Sequence, residues 1–185
     1  MEAELSSMKR RLILSFLFLI PLFYISMGHM MGAPLPAFLV GHENAISFAF
    51  TQLLLTLPIL YINDKYYKNG FRSLLHGGPN MDSLIAVGSI AAVIYGVFAI
   101  YQIGYGLGHG DMARVSQYSM DLYFESAAMI LTLITVGKFL ESRSKRRTTD
   151  AINKLMDLAP KTALVERGGQ ELEIPVEEVV VGDVV

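Results

Sequence analysis

Apolar residues run almost unbroken over four stretches, residues 11–31, 45–63, 82–103 and 119–141, with short polar segments between them. A helix rises about 1.5 Å per residue and the hydrocarbon core of a bilayer is ~30 Å thick, so about 20 mostly apolar residues suffice to cross it. Each stretch has that length and predicts a membrane-spanning helix. Pro21 and Pro58 fall inside the first two, a placement membrane helices tolerate better than soluble ones. Lys9, Arg10 and Arg11 precede the first run as they would in a signal peptide. The run to Met27 is long for one, however, and no small-x-small cleavage pattern follows, so it reads as a retained span.

Beyond the fourth run the pattern changes. Ile152, Leu155, Met156 and Leu158 recur at helical spacing, and no Gly or Pro follows span four before Pro160. One helix from Ser119 to Leu158, roughly 60 Å long, is expected. Past Pro160, short apolar runs predict strands at 162–166 and 172–176 around Gly168-Gly169, and another at 179–181 before Gly182-Asp183. Two strands bury no core of their own, so this segment is expected to open a larger domain. The fold class is mainly α, polytopic membrane. Residues 1–10 form a flank, 11–141 a four-helix transmembrane region, 142–160 a helical linker and 161–185 the start of a β-containing domain.

The loops set the expected orientation. Lys9, Arg10 and Arg11 flank span one, Lys65, Lys68 and Arg72 lie between spans two and three, and Lys138, Arg143, Lys145, Arg146 and Arg147 cluster at the end of span four. The loop between spans one and two has no Lys or Arg, and that between spans three and four has only Arg114. The positive-inside rule then places both termini in the cytosol of a multi-pass cell-membrane protein.

Composition agrees with the pattern. Of 185 residues 52% are hydrophobic and 17% charged, and the mean hydropathy is +0.43. A formal net charge of -2 gives no basis for nucleic-acid binding. The absence of cysteine excludes disulfides and thiolate metal sites within these residues. Ten methionines serve mainly packing and lipid contact, with soft-metal ligation the sharper reading for one or two.

Three residues carry candidate chemistry. Met81 precedes span three and Glu141 ends span four, so antiparallel spans put a thioether and a carboxylate at the same membrane face. A thioether suits Cu(I), and a carboxylate attracts a cation. Interfacial packing for Met81 and a solvated helix end for Glu141 are the plainer readings. Glu125 lies roughly 24 Å from Glu141 along the same span, in the outer part of the bilayer, where a carboxylate is costly and faces a pathway or a partner. Asp121, one turn further out, reads as interfacial. Met27, His29, Met30 and Met31 cluster at the outer end of span one, either as ordinary interfacial residues or as receivers of a soft ion. His42, His76 and His109 read as solvated loop residues, and Gly77-Gly78-Pro79 as a turn.

The stretch Pro79-Asn80-Met81-Asp82-Ser83-Leu84-Ile85-Ala86-Val87-Gly88 resembles the start of the third helix of copper-exporting (heavy-metal-transporting) P-type ATPases. Tyr123-Phe124-Glu125-Ser126 through Gly137-Lys138-Phe139-Leu140-Glu141 resembles their fourth. Thr149-Asp150-Ala151-Ile152 and Val181-Gly182-Asp183-Val184 resemble the linker and the beginning of their actuator domain. The resemblance implies an N-terminal membrane fragment of an ATP-driven pump exporting Cu(I). Met81 and Glu141 would take copper from a chaperone or metal-binding domain at the cytosolic face, and Glu125 would lie on the release path. ATP and Mg would bind outside these residues, because the Thr-Gly-Glu, Cys-Pro-Cys and Asp-Lys-Thr-Gly motifs are not among them.

One departure concerns the family's second helix, described as kinked at a Gly-Gly pair to form a docking platform. The corresponding place here reads Ile62-Asn63-Asp64, which supplies no glycine for a kink. Lys65, Lys68 and Arg72 would still offer a basic surface to an acidic partner. Two other readings stay open, a pump of the same fold for zinc or silver and a non-enzymatic four-span channel or anchor. The second expects a stop codon soon after Val185, the first an open frame into the missing motifs.

Overall fold

A computed structural model describes residues 2–157, 162–167 and 169–184. The chain divides into two compact units, Met1–Leu140 and Glu141–Val185. In the first, α1 (Glu2–Met31) runs through Pro21 and α2 (Ala45–Ile62) through Pro58, joined by two 3-10 turns. There follow α3 (Asp64–Leu75), α4 (Met81–His109) and α5 (Met112–Met120), and then α6 (Phe124–Asp157), which leads into the second unit. Four segments, Glu4–Gly28, His42–Ile62, Met81–His109 and Met112–Ile152, are long and apolar enough to cross a membrane. The chain is a multi-pass membrane protein of mainly α fold.

Within the first unit α1 packs on α2, α2 on α4, and both α3 and α5 on α4. One buried cluster, with Phe48, Ala99, Ile103, Val115, Leu122 and Phe124, lies toward the end carrying the α1–α2 loop. The other, with Leu22, Ile59, Tyr66, Ile85, Ala128 and Leu131, lies toward the end carrying Arg11, α3 and Lys138, called here the basic end. Most side chains on the outward faces of these helices are large, apolar and exposed, as lipid contact requires.

The fourth span differs from the helix expected to start at Ser119. Residues 121–123 are not helical, and α6 begins at Phe124. Leu122 and Phe124 both enter the first cluster. On one continuous helix, residues two apart point about 200° from each other, so both could not face the same core. The break lets them. Phe124, with no exposed surface, lies against Gly96 of α4, where a Cβ would come within 2.4 Å of the ring. Gly96→Ala is expected to destabilise the unit by about 1–3 kcal/mol through overpacking. Thermal unfolding in detergent would read the loss, and Phe124→Leu in the same chain should recover part of it.

The second break is at Asn63, where α2 stops and α3 starts. A helix interruption therefore stands where the sequence supplied no glycine to make one. Its cause is a side chain. Asn63 is fully buried, and its Nδ2 donates to the Ile59 carbonyl and to Ser15 Oγ of α1, both at 2.9 Å. Its Oδ1 accepts from Thr135 Oγ1 of α6 at 3.0 Å and from Arg11 Nη2 at 3.3 Å, while Arg11 Nε donates to the Ile62 carbonyl at 3.0 Å. Arg11 thus satisfies a carbonyl left open at the end of α2. Beyond the break, α3 turns Tyr66 and Gly70 inward and Lys65, Lys68 and Arg72 outward.

In the second unit β1 (Thr162–Arg167) and β2 (Gln170–Pro175) form an antiparallel hairpin, with Gly169 at φ 78° in its turn. The strand expected at 179–181 is not formed. Pro175 closes β2, a 3-10 turn follows at Val176–Glu178, and residues 180–183 form a turn in which the Val180 amide donates to Asp183 Oδ2 at 2.9 Å. Only Val184 bridges back, to Glu166. With the Val180 amide engaged by a side chain, no ladder runs through 179–181. Leu158 and Pro160 lie outside the described residues.

Candidate functional site

At the basic end the residues around Met81 form a capped helix start. Asn80 Oδ1 accepts from the Ser83 amide at 3.0 Å, and the Asn80 amide donates to Ser83 Oγ at 3.3 Å, a reciprocal capping box. Asn80 Nδ2 also donates to Ser73 Oγ of α3 at 2.9 Å, and Ser83 Oγ donates to the Gly70 carbonyl at 2.7 Å. Asn80 and Ser83 therefore fix α4 to α3 and set Met81 as the first residue of α4, 60% exposed. Asp82 turns inward to an ion pair with Lys138 Nζ of α6 at 2.6 Å, beneath which the Tyr66 ring lies 4.7 Å from the same Nζ. From the sequence Lys138 reads as one of the loop cations and as part of the stretch resembling the fourth helix, with no partner assigned. Its partner sits 56 residues away, beyond the reach of local pattern.

Met81 and Glu141 fall in different compact units. Within the second unit Glu141 accepts an ion pair from Lys145 at 2.6 Å, one helical turn on, with both side chains exposed. On α3, Lys68 pairs with Asp64. The hydrogen bond from Lys68 holds the Asp64 carboxyl below its usual range, and the same bond holds the Lys68 ammonium up. The α3 surface therefore keeps this charge well above neutral pH.

Glu125 is 8% exposed on the first turn of α6. Its Oε1 accepts from Ser126 Oγ at 3.3 Å, whereas its Oε2 has no partner. It lines a cavity of about 420 Å³ together with Met27 and Met30 of α1, Gln52 of α2 and Met120 of α5. The Gln52 side-chain oxygen, on a residue only 1% exposed, is also without a partner. Those two oxygens are the buried side-chain acceptors left unsatisfied among the described residues. Such atoms are rare in native interiors and ask for a partner. Three thioethers and two oxygens around one space form a donor set for a soft monovalent cation. Pattern reading had located Met27, Met30 and Glu125 but missed Gln52 and Met120, which only helix packing brings alongside. Met31 is exposed and does not line the cavity, and the side chain of His29 lies outside the described residues. Asp121 ends α5. His76 and His109 are exposed and bond carbonyls of their own helices. His42, also exposed, borders a neighbouring cavity of about 330 Å³ that shares Phe48, Ser119 and Met120 with the first. Among the described residues no group of three or more His, Cys, Asp or Glu could hold a metal ion.

The fold defines a polytopic α-helical membrane protein, and Met27, Met30 and Met120 line a largely apolar cavity at one end of it. Over 99% of its length the chain is related to a segment of the copper-transporting P-type ATPases. It is 37% identical over 186 residues to a copper-transporting ATPase of Helicobacter pylori, covering 99% of this chain and 24% of that protein. It is 36% identical over 189 residues to copper-transporting ATPase 1 of Rhizobium meliloti, covering 100% and 21%. It is 37% identical over 187 residues to a probable copper-importing P-type ATPase A of Enterococcus hirae, covering 99% and 23%. The chain therefore spans about a quarter of the length of these curated relatives. No family model matches it.

Proposed function

We propose that the chain supplies the cytosolic copper-intake site and part of the membrane pathway of an ATP-driven pump that exports Cu(I). The cavity lined by Met27, Met30, Met120, Gln52 and Glu125 is the observation that carries this reading, because its two unpartnered oxygens beside three thioethers match a soft cation. Relatives named for copper transport support the cargo. With both termini cytosolic, as the basic clusters favour, the cavity opens toward the outer side and serves release. Met81, exposed at the head of α4, and Glu141 then serve intake, and Lys65, Lys68 and Arg72 on the outward face of α3 receive an acidic chaperone or metal-binding domain. ATP and Mg act on domains outside these residues. Residues 142–160 would pass the motion of the actuator domain to the helices.

The test is copper-stimulated ATP hydrolysis by the intact protein in proteoliposomes. Met81→Ala and Glu141→Ala should each lower stimulation by free or chaperone-delivered Cu(I) by roughly tenfold. Glu125→Ala should slow efflux while leaving intake-site loading intact. Stimulation by Zn(II) and not by Cu(I) would favour the zinc reading, and unchanged copper dependence in all three variants would remove the site assignment.

A further inference from the structure

A charged pair at the basic end joins two spans. Asp64 with Lys68, Asp111 with Arg114, Glu141 with Lys145 and Arg146 with Asp150 each pair within four residues of chain. Asp82, the second residue of α4, instead meets Lys138 of α6 at 2.6 Å. The Asp82 side chain is 14% exposed and that of Lys138 34%. Separating such a pair strands a partly desolvated charge, so it resists opening. The Lys138 Nζ also stands 4.7 Å from the centroid of the Tyr66 ring. One turn back along α6, Thr135 Oγ1 lies 3.0 Å from the Tyr66 hydroxyl. Two successive turns of α6 thus seat on one buried side chain of α3. Asn80 and Ser83 tie the head of α4 to the same α3. Helices α3, α4 and α6 close a triangle at this end, and the ion pair forms its α4–α6 side. Met81 immediately precedes Asp82, so α3 holds it from one side and Lys138 from the other. A cavity of about 220 Å³, bordered by Arg11, Lys65 and Asn69, lies beside the pair and gives the Lys138 ammonium room to move.

Resting on the intake reading of Met81, we propose that Lys138 is a positioning residue for copper intake. Through Asp82 it holds the head of α4, and with it the Met81 thioether, against α6. Lys138 does not touch the ion. Its charge is cancelled by Asp82, so the pair adds no net repulsion for an arriving cation. Helix α6 continues to Asp157, and Lys138 stands three residues before the second unit begins at Glu141. A displacement carried along α6 from that unit therefore reaches Met81 through this one ion pair.

Two measurements test position and intake separately. In the full 185-residue chain in lipid nanodiscs, methyl spectra of carbon-13-labelled methionine read the surroundings of Met81, with Met81→Leu assigning its signal. Lys138→Met and Asp82→Asn should each shift that signal. Lys138→Arg keeps the charge and the contact with the Tyr66 ring, and should leave it near its wild-type place. In the intact protein in proteoliposomes, Lys138→Met and Asp82→Asn should both raise KM for Cu(I) about fivefold with little change in kcat, as expected when binding geometry alone is lost. A purely electrostatic role predicts opposite signs, because Asp82→Asn leaves a bare cation near Met81 and Lys138→Met a bare anion. Opposite signs, or a fall in kcat at constant KM, would overturn the positioning role. A Met81 signal unmoved in both variants would overturn it as well, whatever the pump does. An unchanged KM in Met81→Ala would instead remove the intake reading, and the methyl spectra would still decide whether Lys138 sets Met81. Thermal unfolding in the nanodiscs checks each variant, and the isosteric Asp82→Asn carries the test if Lys138→Met does not fold.

Discussion

Asn63→Ala is expected to destabilise the membrane unit by about 2–4 kcal/mol, read as a shift in the unfolding midpoint in mixed micelles. Asn63 is a buried residue whose amide meets α1 at Ser15 and Arg11, α2 at Ile59 and α6 at Thr135. Truncation removes these bonds and strands some of the partners. A hydrogen bond nets about 1 kcal/mol, but a buried polar group left without its partner costs about 1–3 kcal/mol. Ser15 is the partner with most to lose, being fully buried with only Asn63 Nδ2 assigned to its hydroxyl. Thr135 still has the Leu131 carbonyl and Tyr66, which keeps the total from rising further. The variant should also loosen α3, because the Ile62 carbonyl cap by Arg11 depends on the same cluster. Hydrogen exchange at 64–75 should rise more than at 85–103. An unchanged midpoint would mean that the break in α2 is held by the surrounding packing and not by this side chain.

Gly70→Val should be at least as damaging, by about 3 kcal/mol, since a Cβ at Gly70 would come within 2.4 Å of the Asp82 carbonyl oxygen. Overpacking costs ~1–3 kcal/mol when side chains can give way. Here the obstacle is backbone at the first turn of α4, so α3 itself must move. Moving it breaks the Ser83 hydroxyl's bond to the Gly70 carbonyl and the Asn80 bond to Ser73. These hold the head of α4, so the environment of Met81 should change as well. Unfolding midpoint and the reactivity of Met81 toward a methionine-selective oxidant would be measured together. Gly88→Ala is the control, because a Cβ there meets nothing within 4 Å. If Gly70→Val left both readouts at wild-type values, the close approach of α3 to α4 would not exist in the membrane.

Much of the molecule was legible in the sequence, for a plain reason. Hydrophobic transfer acts on single residues, so a run of about 20 apolar positions specifies a span whatever its neighbours are. The spans and the hairpin around Gly169 are local features, and they were read from local pattern, whereas the Asn80–Ser83 cap at the head of α4 came only from the structure. The resemblance carried by Asn80-Met81 and by Glu125 through Glu141 extends to relatives matched over 99% of the chain. Where pattern misled, the competing force was tertiary in one case and a local side-chain bond in the other. The helix expected from Ser119 breaks at 121–123 because Leu122 and Phe124 share one core. The strand at 179–181 gives way to a turn held by Asp183.

What the sequence by itself determined was the membrane class and the number of spans, and it singled out Met27, Met30, Met81, Glu125 and Glu141 as candidates. The tertiary structure alone decided that Asn63 could interrupt α2 without a glycine, that Asp82 would find Lys138, and that Gln52 and Met120 would join Glu125, Met27 and Met30 around one cavity. Each of those outcomes depends on side chains from different helices meeting at hydrogen-bond or packing distance. Such meetings are fixed by interhelical packing, and a single-chain periodicity carries no record of it.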